Sequence, residues 1–359
     1  MTSRLVVNSI RHTGSSSDAV TLASDGSCTA NLTNRTNKNL VVNGACLIAQ
    51  RGTSSTSAGY QTVDRFSSFQ NGLDEATTYS QGDVSSGTTP YTNGFRKTFK
   101  ITNGNQTSAG ADDHIVLEYR VEDQDIATSG WNYTSTTSNI SMSFWVKSSV
   151  AQNFYFGFQS DNGSAYRYVM ETGSLSANTW TKITKTIPGN SNLVFNNDNG
   201  LGMYVNWHLF NGTNRTGTRP LNAWAAADNT TRTPDASSVW YLTDGATFEI
   251  TGVQIEVSDH ATDFEHRSYT QELTLSRRYY FKPHVDNSIL PAYQYHHSYK
   301  MTVYQFPVQM RAVPTCVASW DGGSHTQHDI SKEAFKAYIS SPVSEAGYYL
   351  NSLTADAEL

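Results

Sequence analysis

Cysteine is scarce in this sequence. Its 359 residues hold three, Cys28, Cys46 and Cys316, too few and too scattered for a disulfide framework, and the odd number leaves at least one thiol unpaired within a chain. Such usage fits a protein folded in a reducing cytoplasm and released later. Long apolar runs are missing as well. None approaches the roughly 18–20 residues that span a bilayer, and the opening MTSRLVVNSIRH lacks the apolar core of a signal peptide. Membrane insertion is not expected. Basic clusters are absent too: the net charge is −6 and no run of Lys and Arg is longer than Arg277-Arg278, so no nucleic-acid partner is expected. The sequence also carries no G-x-S-x-G elbow, no H-E-x-x-H pair, no P-loop and no β-helix repeat.

What remains is Ser, Thr, Asn and Gly in quantity, with aromatic residues (12%) nearly as frequent as charged ones (16%). That is the profile of extracellular β-proteins. No apolar 3.6-residue period persists along the chain, whereas period-two stretches recur at Arg96–Ile101, His114–Val121, Ile140–Lys147, Phe154–Gln159, Tyr166–Glu171, Thr179–Thr186, Leu201–Leu209, Thr247–Ile250 and Gly252–Val257. The expected class is all-β: a jelly-roll β-sandwich over residues 46–265, a small N-terminal attachment segment over 1–45 and a C-terminal β-rich domain over 266–359. In the first segment Arg4–Ile10 and Ala19–Leu22 read as strands around a turn, with Leu32 and Asn39–Asn43 as further ones. Segments below about 40 residues seldom fold alone, so this one reads as a trimerising or docking piece that packs on a partner, or else as a flexible leader. In the last domain Ser268-x-x-Gln271 reads as the cap of a short helix. Strands are expected at Tyr279–Lys282, Tyr299–Gln305 and Thr315–Trp320, a helical turn at Lys332–Ala337, and a frayed tail at Ala355–Leu359.

Two successions of residues go further. Gln254, Glu256, Ala261-Thr262, Phe264-Glu265, Arg267-Ser268, Glu272-Leu273 and Arg278-Tyr279-Tyr280 lead to Phe306-Pro307-x-x-Met310-Arg311-x-x-Pro314. Upstream, Asn43-Gly44 is followed by Gln50-Arg51-Gly52-Thr53-Ser54 and then Tyr60-x-x-x-Asp64-Arg65-Phe66. Together they resemble bacteriophage tail-fibre and virion-appendage proteins, with Asp263 where Pro is usual, Ser276 where Cys is frequent and Phe66 where Trp is commoner. The resemblance implies a homotrimer in the virion, assembled in the host cytoplasm, whose N-terminus docks on a tail adaptor or tail tube and which helps to recognise a host surface glycan; the alternatives are a glycan depolymerase and a fibre or decoration protein with a purely structural role. Trp180, Ile183 and Thr186-Ile187-Pro188-Gly189 resemble an edge of jelly-roll carbohydrate-binding modules, a fold that serves many functions.

Several residues stand out as candidates. Trp131, Trp207, Trp224 and Trp240 lie in or beside stretches rich in Asn, Asp and Thr, and a ring flanked by amides and carboxylates suits the CH face and hydroxyls of a sugar. The same rings can instead fill a core or a subunit contact. Asp64 and Arg65 read as a structural ion pair that pins a loop, and Phe264 as a plug at the corner after Val257. Arg278, Tyr279, Tyr280 and Arg311 are structural by the resemblance. Glu118 and Glu122 share one face of a strand and so have the raw spacing of paired carboxylates. A solvated edge, or a calcium loop at Asp123-Gln124-Asp125, is preferred, and no catalytic residue, metal or cofactor is assigned. His296-His297 and His325-x-x-His328 read as solvated loops, since no further ligand follows at metal spacing.

Overall fold

Two six-stranded antiparallel sheets form the body of the protein. The computed structural model describes residues 6–16, 18–26, 28–30, 37–283, 293–296, 299–321, 324–340 and 349–359. The sequence readings at Arg4, Leu5, Leu32 and His297 lie outside these residues, as do the side chains of His296, His325 and His328. A small sheet comes first, made of β1 (Ser9–Ile10), β2 (Val20–Leu22) and β3 (Cys28–Ala30). The sandwich then uses β4 (Ser54–Ser55), β5 (Phe66–Asn71), β6 (Thr78–Asp83), β7 (Lys97–Thr102), β8 (His114–Glu122), β9 (Asn139–Ser148), β10 (Asn153–Ser160), β11 (Tyr166–Ser174), β12 (Thr181–Pro188), β13 (Leu201–Asn211), β14 (Trp224–Ala226) and β15 (Thr247–Val257). The front sheet has the order β14-β11-β10-β13-β8-β5 and the back sheet β12-β9-β15-β7-β6-β4. Short helices α1 (Thr89–Thr92) and α2 (Asp123–Ala127) lie in its connections.

Side-chain parity decides which residues enter the core. In β8, Ile115, Leu117, Tyr119 and Val121 point inward, and their neighbours Val116, Glu118 and Arg120 point out. Rings from both sheets interlock between the layers. Phe144 meets Phe156 edge-on at 5.0 Å and Trp207 at 5.8 Å, and Phe66 meets Tyr119 at 5.2 Å. Each such pair contributes about 0.5–1.5 kcal/mol beyond its buried area. The two readings Thr247–Ile250 and Gly252–Val257 are one strand, β15, interrupted by a bulge between Thr251 and Gln254. Gly252 sits there at φ +65°, and a Cβ would meet the Phe95 ring at 2.6 Å, so only glycine fits.

Beyond that bulge β7 no longer pairs with β15. The vacated edge is taken by the segment before the sandwich: Leu40 N–H donates to Ile255 O and Val253 N–H to Gly44 O, both at 2.9 Å. Val41 is fully buried in the main core. The boundary expected at residue 45 is therefore corrected, since residues 39–45 belong to the sandwich.

The C-terminal residues open with α3 (Tyr269–Arg277), closed at its start by the expected capping box of Ser268 and Gln271. Its Glu272 accepts the backbone N–H of Asn43 at 2.7 Å, which seats the helix on the sandwich. One small sheet follows the order β16 (Tyr280–Phe281), β22 (Tyr349–Asp356), β19 (Thr315–Asp321). The other follows β17 (Tyr293–His296), β18 (Tyr299–Gln305), β21 (Ala334–Ser340), β20 (Ser324–His328). Phe281, Met310, Phe335, Leu350 and Leu353 fill the core beneath them. Two expectations fail here. Lys332–Ala337 is not a helical turn but the start of β21, because Phe335 and Ala337 are buried on either side of Lys336 and pair with β18. The tail is not frayed: Ala355 and Ala357 are buried, and Ala357 N–H donates to Tyr279 O at 2.8 Å.

The junction between the two bodies is built around a buried guanidinium. Arg65, only 1% exposed and at φ +72°, lies 3.5 Å from the Tyr279 ring centroid and 5.2 Å from that of Tyr119. Its Nη1 pairs with Glu358 and its Nη2 donates to Arg120 O at 2.6 Å. Arg51 lies 3.7 Å over Tyr280 and pairs with Asp356 and Glu358. Arg278 makes a two-point pair with Glu122 at 3.1 and 2.9 Å, and Arg311 Nε donates to Ala357 O at 2.8 Å. The expected Asp64–Arg65 pair is a correction. The left-handed backbone at Arg65 sends the two side chains apart, and Asp64 instead accepts from Gln50 N–H at 2.9 Å and from the Gln50 amide. Burial pushes the Asp64 carboxyl up to about 6 against those hydrogen bonds. Phe264 packs edge-on against Phe95 at 4.9 Å, as part of a small apolar cluster on the back sheet. Removing one partner of a buried ion pair strands the other charge. Glu358→Ala is therefore expected to cost on the order of 3 kcal/mol, read as a lower urea midpoint, whereas an unchanged midpoint would show that the pair contributes nothing.

Candidate ligand-binding groove

The outward residues of the front sheet fall into cross-strand rows, because antiparallel register brings equal parity side by side. One row runs Arg167, Gln159, Tyr204, Arg120 across β11, β10, β13 and β8. The next runs Val169, Gly157, Asn206, Glu118, Ser67, and the third Glu171, Tyr155, His208, Val116, Phe69. Gly157 is second in the central row, between Val169 and Asn206. A Cβ there would sit 2.0 Å from the Tyr168 carbonyl oxygen, so the position stays bare. The loop after β14 raises a wall through Asn229 and Arg232. The result is an open groove of about 290 Å³.

Its polar groups are held in place. Arg167 donates to Gln159 Oε1 at 3.1 and 2.5 Å, to Asp228 O at 2.7 Å and to Asn229 Oδ1 at 3.3 Å. Arg120 donates to Glu118 at 2.7 Å, stands over the Tyr204 ring at 5.4 Å, and gives its other arm to the Leu359 carbonyl. On the floor, Asn206 Oδ1 is buried without a partner. His208 Nδ1 faces the Asn211 amide nitrogen at 3.1 Å, which requires an unprotonated acceptor there. Phe69 on the rim is 49% exposed.

The rings expected to meet a ligand lie elsewhere. Trp131, Trp207 and Trp240 are 3%, 1% and 0% exposed and belong to the sandwich core, so their assignment to a sugar is corrected. Trp207 points inward by parity with Met203 and Val205, and Trp240 folds under its loop to donate Nε1–H to Thr247 O at 3.1 Å. Trp224 is half-buried, edge-on to Tyr168 and bonded to Pro188 O at 2.7 Å. The carboxylates are engaged as well: Glu118 by Arg120 and Glu122 by Arg278. Asp123-Gln124-Asp125 is not a loop but the start of α2, with the Asp123 carboxylate taken by the Asn162 amide and Asn196 N–H. Among the described residues no group of His, Cys, Asp and Glu has metal-site geometry. The groove residues Arg167, Tyr204 and Asn206 were not singled out in the sequence, although the parity of β13 against its inward residues would have exposed the last two. A second depression of about 180 Å³ on the back sheet is lined by Trp145, Lys182, Phe264 and His266.

No family model matches the chain, and no curated protein matches it. Solved structures are similar over part of it. The enzymatically active domain of tailspike protein 4 from bacteriophage CBA120 is 10% identical, over 61% of this chain and 21% of that one, with a TM-score of 0.33. A family 11 carbohydrate-binding module of Clostridium thermocellum Lic26A-Cel5E is 14% identical over 59% and 98%, TM-score 0.28. The N-terminal cellulose-binding domain of Cellulomonas fimi β-1,4-glucanase C is 8% identical over 59% and 98%, TM-score 0.29. The chain spans about a fifth of the tailspike chain it resembles. At these scores no function transfers.

Burial, then the charges of Arg167, Arg232 and His114, hold the His208 imidazole well below its usual range. The unfolded chain therefore takes up a proton near pH 6.5 that the folded chain refuses. Stability present above that pH is lost as pH falls below it, by up to about 1.4 kcal/mol per unit. His208→Gln is expected to flatten the decline of melting temperature between pH 6.5 and 5. An unchanged slope would show that His208 is protonated in the native protein.

Proposed function

We propose that this chain is a subunit of a bacteriophage virion appendage whose sandwich binds a host surface glycan. The observation that carries the binding half is the hollowed outer face of the front sheet. Tyr204 and Phe69 offer ring faces, while Gln159, Asn206, Asn229 and the guanidinium groups offer fixed planar donors and acceptors. Sugars need that combination, because their hydroxyls demand paired hydrogen bonds and their CH faces pack on aromatic rings. The unpartnered Asn206 acceptor favours an occupant with donors, since a buried polar atom without a bond costs free energy until it is paired.

The appendage half rests on the resemblance of the two residue successions. It is supported by their convergence on one junction, where Arg51, Arg65, Arg278, Tyr279, Tyr280 and Arg311 lock the C-terminal body onto the sandwich. Three copies on one particle would multiply weak contacts into avidity, with the N-terminal segment docking on a tail adaptor or tail tube. Binding is favoured over hydrolysis because Glu118 and Glu122, the two carboxylates whose spacing suggested a pair, are each committed to an arginine.

The test is a bacterial glycan array read with wild-type protein and Tyr204→Ala, alongside light scattering of the full chain. Binding that drops about tenfold on losing the ring, roughly 1.4 kcal/mol, is expected, from a trimer. No glycan binding would contradict the recognition role, and a monomer the appendage role.

A further inference from the structure

The groove has a charge that the rest of the chain does not. Acidic residues outnumber basic ones overall, 31 to 25, yet three arginines and one glutamate line this hollow. That glutamate is already neutralised by Arg120. Arg167, 4% exposed, is bonded only to neutral oxygens, those of Gln159, Asn229 and the Asp228 backbone. Arg232 has no ion-pair partner among the described residues, and its Nε is buried without a hydrogen bond. Directly behind it, Arg215 accepts the Arg232 backbone N–H on its own carbonyl at 2.7 Å, and its side-chain Nε is likewise buried and unpartnered.

Like charges gathered in a partly dry site repel one another. Burial, with the charges of Arg232 and Arg219 added, pulls the Arg167 guanidinium down to about 9. Burial and Arg215 lower Arg232 in the same direction. The carboxylates of Asp228 and Glu118 offset part of this from farther off, but neither forms an ion pair with Arg167 or Arg232, and desolvated cations without a paired carboxylate are costly to keep. An anion from outside would relieve both the repulsion and the missing hydrogen bonds, and a guanidinium presents it with two parallel donors.

Building on the glycan-binding reading, we propose that the groove selects an acidic saccharide. A carboxylate or sulfate on one sugar is received by the guanidinium of Arg232, in the field of the buried Arg167, and the neighbouring ring lies along Tyr204 with its hydroxyls on Gln159 and Asn206. The Glu118–Arg120 pair closes the opposite side, where a second negative group is disfavoured.

Calorimetry on the full chain with four defined probes tests this: tetragalacturonate (carboxylate only), a κ-carrageenan tetrasaccharide (sulfate only), and neutral xylotetraose and cellotetraose. At least one acidic probe is expected to bind about tenfold or more tightly than either neutral one. That preference should shrink as salt is raised toward about 0.5 M, where the screening length falls to a few ångströms. Arg232→Gln should abolish the preference and Arg232→Lys retain part of it, both at wild-type melting temperature. Equal or tighter binding of the neutral probes overturns the charge selection and leaves glycan binding standing. So does a folded Arg232→Gln that keeps the preference. Absence of binding by all four, together with silence on the bacterial glycan array, overturns both.

Discussion

A guanidinium sealed from water is tolerable only with a carboxylate and further partners around it, and Arg65 obtains these from three distant stretches of chain. Tyr119 comes from the sandwich, Tyr279 from the end of α3, and Glu358 from the C-terminal tail. Meeting that one demand brings the last strand onto the sandwich. It also fixes Arg120, whose carbonyl accepts from Arg65 and whose guanidinium reaches Leu359. Arg120 in turn braces Glu118 and Tyr204 in the groove. The junction and the candidate binding face are thus one mechanical unit.

The two faces of the sandwich differ for a similarly local reason. On the front sheet Asn206 and Glu118 make the floor of the groove, with Gln159, Tyr204 and Arg120 along one side and His208, Val116 and Phe69 along the other. On the back sheet residues 39–45 take the edge of β15 that β7 leaves beyond the bulge, and the chain after β15 returns over it, with Thr262 N–H on Glu256 and Glu265 N–H on Gln254. The back sheet keeps a depression of about 180 Å³, against about 290 Å³ for the groove on the front sheet.

Period two made most of the sandwich legible: β8, β9, β10 and β13 stand within a residue or two of their expected spans. Shorter strands such as β5 and β6 escaped notice because serines and threonines blur their alternation. The tryptophans misled for a physical reason. Flanking polar residues suggest exposure, but in a strand the neighbours of an inward ring are the outward residues by construction. Trp207 between Asn206 and His208 is such a case. The buried network around Arg65 was visible only as residue types. Its partner Glu358 lies far along the chain, and the backbone at Arg65 turns left-handed, so adjacency to Asp64 pointed to the wrong carboxylate. The helical turn expected at Lys332–Ala337 gives way to the pairing of β21 with β18.

The claim on which the rest of the account turns is that ligand meets the front sheet. Backbone NMR of the full chain, titrated with tetragalacturonate or with a surface polysaccharide that binds, reads this directly. The perturbed amides are expected to gather at Gly157, Gln159, Tyr204 and Asn206 and in the loop carrying Asn229 and Arg232. Perturbations gathered instead around Trp145 and Lys182 would move the site to the back sheet and contradict it.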